Sequence, residues 1–431
     1  MLVGSTLRRV AIVGGSRTPF ARSFGAYARS SNQELLTAAL RALVDHHGLG
    51  GVRLGDVIGG AVVKHSRDYN LVRESLLSTD LDPQTPGLDL QRACGTSLEA
   101  AILVANKIAL GQIDAGIACG VEAMSDPPVV FPQSFRELLL ESHRGRSFGQ
   151  RFKPWTRLRP WRDLKPILPG VVEPRTGLSM GQSCELMVKT WGVTRAEQDQ
   201  LALESHQRAA AAWREGFYDD LVVPHAGLKA DNNVRGDSSL EKLATLRPVF
   251  DTRGGGTLTA GNSTPITDGA ATLLLASEEW AAQRKLPVLA WLRAGKSWAV
   301  DFASGKEGLL MAPAYAVSAL LEDTGLALQD FDYYEIHEAF AAVPLCIMKA
   351  WESAEFCRER LGRSAPLGAL DRARLNVKGG SVAIGHPFAA TGARVLATNA
   401  KLLAGDASAR RALVSVCTAG GMGVTAILER A

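Results

Sequence analysis

No apolar run in this 431-residue chain reaches the length of a membrane span, so no spanning helix is expected. The six cysteines form no CxxC and no His/Cys pair at metal-ligand spacing, which argues against a disulfide framework and against a local zinc site. The glycines after the first apolar strand (Gly14, Gly15) do not make the GxGxxG of a dinucleotide fold. Charge of one sign is also lacking: 48 basic residues face 44 acidic ones, and a net charge of +4 gives no argument for a nucleic-acid partner. The first strand begins near Arg9, which leaves no room for a signal peptide and makes a reducing cytoplasm the expected compartment.

What is present is length and glycine. The chain is too long for one ordinary core, and its 43 glycines cluster at the expected turns between strands and helices. Strands are predicted at Val10–Val13, Asp56–Val63 and Asp114–Gly120, with helices at Asn32–Val44 and Arg67–Leu77 between them, an α/β order that implies a largely parallel sheet. Residues 125 to about 175 break the pattern and read as a lid or an inserted piece, with a basic run at 144–165. Thr194 and Glu197 form a capping box that opens a helix to Phe217, and residues 221–250 read as strand and turn pieces. The second half then repeats the first: Tyr333–Ile336 stands for Asp56–Gly60, Leu375-Asn376-Val377 for Leu88-Asp89-Leu90, and Arg411–Val416 for Ala115–Cys119.

Two copies packed back to back bring equivalent strand ends together, where α/β sites lie. Four stretches sit at such ends. Cys94 lies in a turn between the run Leu88–Leu90 and a helix beginning near Ser97; unpaired N–H groups at a helix start lower a thiol pKa, so Cys94 is a candidate nucleophile, although a buried structural cysteine also fits the position. His386, within Gly385-His386-Pro387, suits a base for that thiol, or a structural histidine. His337-Glu338-Ala339-Phe340 follows a strand directly; His337 suits a donor to a water or a carbonyl, Glu338 a brace for a ring or a turn, and a capped helix start fits as well. Cys417 opens a glycine-rich hairpin and suits an acid or base, or a small residue in a tight turn. The other cysteines (Cys119, Cys184, Cys346, Cys357) read as core. Two thiols and two imidazoles without metal spacing suggest thioester chemistry, with one thiol taking the acyl group and the other moving an α-carbon proton.

The motifs VGGSRTPF (Val13–Phe20), the Cys94 turn, TGLSMGQSCE (Thr176–Glu185), TAGNSTPITDGAA (Thr259–Ala271), HEAF (His337–Phe340), GGSVAIGHPFAATGAR (Gly379–Arg394) and CTAGGMG (Cys417–Gly423) together resemble the thiolases, acyl-CoA:acetyl-CoA C-acyltransferases. The resemblance implies an α/β thiolase fold: two similar βαβαβαββ-type halves with five-stranded mixed sheets packed in layers, plus an inserted loop domain. The implied division is 1–123 for the N-terminal half, 124–248 for the insertion, 249–284 for the rest of that half and 285–431 for the C-terminal half. It implies Cys94 as acyl acceptor, His386 as its activator, Cys417 as the α-carbon acid/base and His337 as holder of an oxyanion-hole water. The Cys94 and Ala419 N–H groups would form a second oxyanion hole, with His386 and His337 forming the first. Met180, Asn262, Ser263, Thr264, Ala339 and Phe340 would contact substrate. His337 replaces a usual Asn, and Ala419 a usual Gly, as in the β subunit of the fatty-acid-oxidation trifunctional complex.

The same resemblance implies CoA and acyl-CoA as substrates, no metal or bound cofactor, and a homodimer or higher assembly. A hydratase/dehydrogenase α subunit or a membrane would meet the insertion, whose basic run also contains Trp155 and Trp161; CoA phosphates, or plain solvent, are its other readings. The expected reaction is reversible cleavage of 3-ketoacyl-CoA by CoA in fatty-acid β-oxidation. The rival expectations are a decarboxylating ketoacyl synthase, which has no need of Cys417, and a lipid carrier without turnover.

Overall fold

The computed structural model describes residues 7–167, 170 and 172–431. The expected lack of a leader falls partly on residues 1–6, and the run 125–175 partly on 168, 169 and 171, which lie outside the described residues. In chain order the first half comprises β1 (Val10–Arg17), β2 (Ala21–Arg22), α1 (Asn32–His46), β3 (Asp56–Gly59), α2 (Leu71–Leu77), β4 (Gly87–Asp89), α3 (Thr96–Ala109) and β5 (Ala115–Glu122). Next come the helices α4 (Gln133–Arg144), α5 (Phe148–Phe152), α6 (Pro160–Asp163), α7 (Met180–Trp191), α8 (Arg195–Arg214) and α9 (Leu240–Ala244). The chain then returns to the sheet with β6 (Thr267–Ser277), followed by α10 (Glu278–Gln283). The second half runs β7 (Ala290–Ala299), α11 (Ala312–Thr324), β8 (Tyr333–Ile336), α12 (Ala342–Glu352), α13 (Ala354–Glu359), α14 (Ser381–Ile384), α15 (Thr391–Gly405), β9 (Arg411–Thr418) and β10 (Met422–Arg430).

The strands follow the order β4-β3-β5-β6-β1-β7-β10-β9-β8, with β2 attached to β6. β3 is parallel to both β4 and β5, and β8 is parallel to β9, while the remaining ladders are antiparallel. The predicted equivalence of the halves is visible in this order, β3 and β5 on one side answering to β8 and β9 on the other. The counterpart of β4 is reduced to a single parallel bridge from Tyr334 to Leu375. The halves meet edge to edge where Ala11 and Ile12 of β1 pair with Trp291 and Ala290 of β7.

The expected back-to-back packing of the halves has a helical layer inside it. α3 and α15 touch strands of both halves and each other. Strand period sorts the core around them. Ala271, Leu273 and Leu275 of β6 face these two helices, and Ala270, Leu274 and Ala276 face α1 on the outer side. On the far side Leu413 and Ile427 pack under α11 and α12. α1 is opened by the Ser31–Glu34 capping box and α8 by the Thr194–Glu197 box, as the sequence suggests. The predicted helix Arg67–Leu77 is split, a 3₁₀ turn at Ser66–Asp68 preceding α2, and residues 221–250 hold turns and α9 in place of strands.

The two central helices cross at backbone distance. A Cβ added to Gly392 would lie 2.2 Å from the Leu98 nitrogen, and the Ser97 hydroxyl accepts the Ala393 N–H at 2.8 Å. Only glycine permits that approach. Gly392→Ala is expected to lose stability at the upper end of the roughly 1–3 kcal/mol typical of overpacking, read from the urea midpoint. A change below about 0.5 kcal/mol, within the range of ordinary surface substitutions, would mean that the helices part freely.

Candidate active site

The four candidate residues lie on four loops that converge beside this crossing. Cys94 sits between β4 and α3, in a turn where Ala93 takes φ +44°. The Thr96 hydroxyl closes that turn, accepting the Arg92 N–H at 2.9 Å and donating to the Ala93 carbonyl at 2.7 Å. Gly95 is the helix cap, and a side chain there would strike Val424 and Thr418 of the opposite half. His386 lies ahead of α15, its N–H donated to the Thr267 hydroxyl at 3.2 Å. His337 directly follows β8, its N–H donated to the Ser415 carbonyl at 2.8 Å. Cys417 lies near the end of β9, on the hairpin to β10. The Gly420 N–H of that hairpin is held by Glu173 at 2.6 Å, so residues between β5 and β6 touch the thiol loop directly.

The two imidazoles are neighbours. His337 Nε2 lies 3.2 Å from His386 Nε2, with ring centroids 4.1 Å apart. Both rings are fully enclosed, and burial drives both toward the neutral form: His386 falls to about 3 and His337 well below its ordinary value, with Arg394 opposing charge on each. On the far side of each ring is a hydroxyl: Ser381 Oγ lies 2.8 Å from His337 Nδ1, and Thr391 Oγ1 lies 2.6 Å from His386 Nδ1. Glu338 braces the turn and not a ring. Its carboxyl accepts from the Ser205 hydroxyl (2.8 Å), the Asn376 amide (2.6 Å) and the Val382 N–H (3.1 Å). Gly380 leaves room for that carboxyl, since a Cβ there would lie 2.1 Å from it.

The thiols correct one expectation. Cys94 precedes the helix cap, outside the first turn, and desolvation outweighs the local N–H groups, raising its pKa to about 12. The Ala419 N–H, which points at the Cys94 sulfur, opposes the rise, and the carboxyl of Glu122 adds to it. Burial also raises Cys417, with the neighbouring Cys94 second among the causes and the Ala339 N–H opposing. The resting site therefore holds two thiols and two neutral imidazoles, an arrangement suited to moving a proton on demand and not to storing an ion pair.

The six expected substrate contacts are placed unequally. Met180 is the first residue of α7 and packs part-buried against the second-half core. Phe340 is buried and edge-on to Phe250 at 5.5 Å. The Ala339 carbonyl accepts both the Thr264 N–H (3.1 Å) and its hydroxyl (3.0 Å). Asn262 is turned away: its amide donates to Asp199 at 2.9 Å and to the Thr257 carbonyl, and its oxygen accepts the Thr259 N–H. It holds the loop, so any substrate contact from this stretch comes from its neighbours. Ser263 is buried with its hydroxyl unpartnered, and it lines with Thr264, Phe250, Arg22, Arg235 and Lys242 a cavity of ≈ 420 Å³. The three cations were not singled out from sequence; they lie on separate segments and share no motif. Ser381 and Arg394 lie inside a motif already quoted, without a role assigned to them. Among the described residues no cluster of His, Cys, Asp and Glu could hold a metal ion, and no helix is long and apolar enough to cross a membrane.

Residues 10–279 match the family model for the thiolase N-terminal domain and residues 287–430 that for the thiolase C-terminal domain. A 3-ketoacyl-CoA thiolase of Pectobacterium carotovorum subsp. carotovorum is 42% identical over 427 residues, covering 98% of this chain and 96% of its own. One of Yersinia pestis is 40% identical, covering 98% and 97%. Among solved structures, Bacillus anthracis acetyl-CoA acetyltransferase superposes with TM-score 0.82 at 29% identity, covering 99% of this chain and 100% of its own. Human mitochondrial 3-ketoacyl-CoA thiolase in complex with CoA gives 0.80 at 26%, covering 99% of each.

A resting thiol raised to about 12 is protonated at neutral pH, and its thiolate fraction grows as pH rises toward that value. Alkylation of Cys94 by iodoacetamide should accelerate roughly tenfold per pH unit between pH 7 and 10, without a plateau. A rate already flat below pH 7, measured by peptide mass spectrometry, would show a preformed thiolate.

Proposed function

The chain belongs to the thiolase family, and from that premise we propose that it cleaves 3-ketoacyl-CoA with CoA to acetyl-CoA and a shortened acyl-CoA, reversibly, in fatty-acid β-oxidation. The observation that carries this reading is the convergence of two thiols, each beside a backbone N–H, with two neutral imidazoles 3.2 Å apart.

In the proposed cycle His386 Nε2 takes the Cys94 proton, and the sulfur adds to the 3-keto carbon. The Cys94 and Ala419 N–H groups receive the developing oxyanion, where a single fixed donor is worth roughly 3 kcal/mol. His337 and His386 face the thioester oxygen of the departing acetyl unit. The C2–C3 bond breaks, and Cys417 protonates C2 to give acetyl-CoA. A second CoA gives its thiol proton to the Cys417 thiolate and takes the acyl group from Cys94, whose sulfur recovers its proton from His386. The cavity beside Ser263 and Thr264 would receive the pantetheine arm, with Arg22, Arg235 and Lys242 near its phosphates.

The finer assignment is to the branch of the trifunctional-complex β subunit. Its supports are His337 in place of Asn, Ala419 in place of Gly, and the long segment 124–248 read as an inserted domain between the parts 1–123 and 249–284 of the N-terminal half, with 285–431 as the C-terminal half. That segment carries an aromatic, cationic face: Trp161 is 96% exposed and Phe148 84%, and both lie in the basic run 144–165. Tryptophan and arginine are enriched where surfaces bind, so a hydratase/dehydrogenase α subunit, or a membrane, would cover this face. β4 ends the sheet with Leu88 exposed, which suits pairing with a second copy in a homodimer. The proposed compartment is the cytoplasm.

The first test is CoA-dependent cleavage of acetoacetyl-CoA and 3-ketohexadecanoyl-CoA side by side, followed by loss of enolate absorbance, with Cys94→Ala as control. Faster cleavage of the long substrate, abolished in the control, is expected; turnover of neither would overturn the reading. Light scattering should give the mass of a dimer. Phe148→Ser with Trp161→Ser should abolish binding to a candidate α subunit or to anionic vesicles while leaving cleavage intact. Unchanged binding to both would remove that face from the proposal.

A further inference from the structure

A buried side-chain chain runs behind the two histidines, and its hydrogens can be placed by counting. Arg394 is fully buried on α15 and pairs with Glu335 of β8, Nη1 to Oε1 at 2.7 Å. Its Nη2 donates to Ser381 Oγ at 2.7 Å. A guanidinium only donates. Ser381 Oγ therefore accepts from Arg394 and must place its own hydrogen elsewhere, and its one other partner among the described residues is His337 Nδ1 at 2.8 Å. A buried hydroxyl hydrogen left without an acceptor is costly. So His337 Nδ1 carries the lone pair and its proton is on Nε2. That N–H faces His386 Nε2 at 3.2 Å, where two N–H groups would repel, so His386 Nε2 is the acceptor and its proton is on Nδ1. His386 Nδ1–H then donates to Thr391 Oγ1 at 2.6 Å, and the Thr391 hydroxyl donates onward to the Pro387 carbonyl at 3.2 Å. Every donor points one way, from a guanidinium that does not lose its proton.

We propose that Ser381, backed by Arg394 and Glu335, is a positioning residue that fixes the His337 proton on Nε2, and thereby keeps His386 Nε2 unprotonated, as the base for Cys94. The inference rests on the proposed thiolase reaction for its use, but not for its geometry. Once His386 has taken the Cys94 proton, both rings carry Nε2–H and both can donate to one substrate oxygen. The same tautomer of His337 thus serves the resting and the working state, and no ring has to exchange its proton between nitrogens during turnover. Without the Ser381 hydroxyl, His337 is free to hold its proton on Nδ1. Two lone pairs would then face each other at Nε2, and the donor to the substrate oxygen would be lost.

The test is ¹⁵N NMR of histidine-labelled protein without substrate, the two rings assigned by His337→Gln and His386→Gln. In the wild-type protein the proton should reside on Nε2 of His337 and on Nδ1 of His386. His386 with its proton on Nε2, or His337 with its proton on Nδ1, would overturn the proposal whatever the enzyme does. In Ser381→Ala the His337 Nδ1 signal should move to that of an unbonded or protonated nitrogen. Its kcat should fall roughly 10- to 100-fold, less than the loss of a whole oxyanion donor, with KM within about threefold. Ser381→Thr, which keeps the hydroxyl, should restore most of kcat. An unchanged ¹⁵N pattern with kcat within about twofold of wild type would also overturn it. The NMR readout needs no turnover, so its failure is distinct from failure of the cleavage reaction, which the Cys94→Ala comparison tests. If Ser381→Ala does not fold, the wild-type spectrum alone decides.

Discussion

The close crossing of α3 and α15 is the constraint on which the remainder of the molecule depends. α3 begins two residues after Cys94, and α15 begins five residues after His386. The backbone contact at Gly392 and the Ser97–Ala393 hydrogen bond therefore set the spacing of Cys94 and His386 directly, with no flexible segment between. The strands serve the same end from the other side. β8 and β9 deliver His337 and Cys417 to that place, and the Glu338 carboxyl and the Asn376 amide pin the turn where they arrive.

Enclosure is the second determinant. Taking a thiol or an imidazole out of water disfavours its charged form, and here it acts on the part-buried Cys94 and on the fully buried Cys417, His337 and His386. The local dipoles that would favour a thiolate are present, but they are few: at Cys94 its own N–H and that of Ala419, and at Cys417 its own N–H and that of Ala339. The four candidate side chains carry no standing charge to be screened or neutralised by solvent. Each ionic species in the proposed cycle would appear only while substrate occupies the pocket, when fixed donors are already in place to receive it.

Much of this was legible in the sequence, and the exceptions have physical reasons. The strand equivalences follow from short apolar runs, whose burial on both faces leaves a clear signal even for the vestigial pair Tyr334–Leu375. α4 was missed because its apolar residues do not face a core: Leu139 and Leu140 stay exposed, and only Leu138 is buried. The four candidate residues stood out because their motifs are local. The Cys94 pKa was misjudged because a helix start is a local feature, whereas desolvation is supplied by the whole fold. Asn262 fell in a recognisable motif, yet its amide is spent on Asp199 of α8, a partner far along the chain that no spacing could indicate. The Ser381–Arg394–Glu335 chain was hidden for the same reason, since an ion pair between β8 and α15 exists only after the C-terminal half has folded.

The edge-to-edge join of the halves has a consequence for how the labour is divided. Under the pseudo-twofold relation that equates β3 with β8 and β5 with β9, the turn from β4 into α3 corresponds to the segment from Leu375 into α15. Cys94 occupies the first and His386 the second. A symmetric pair of identical chains would have to place the same residue at both positions, giving two sulfurs or two imidazoles across the axis. Carried on one chain, the two positions accept different mutations, and an acid–base couple can straddle what would otherwise be a point of symmetry.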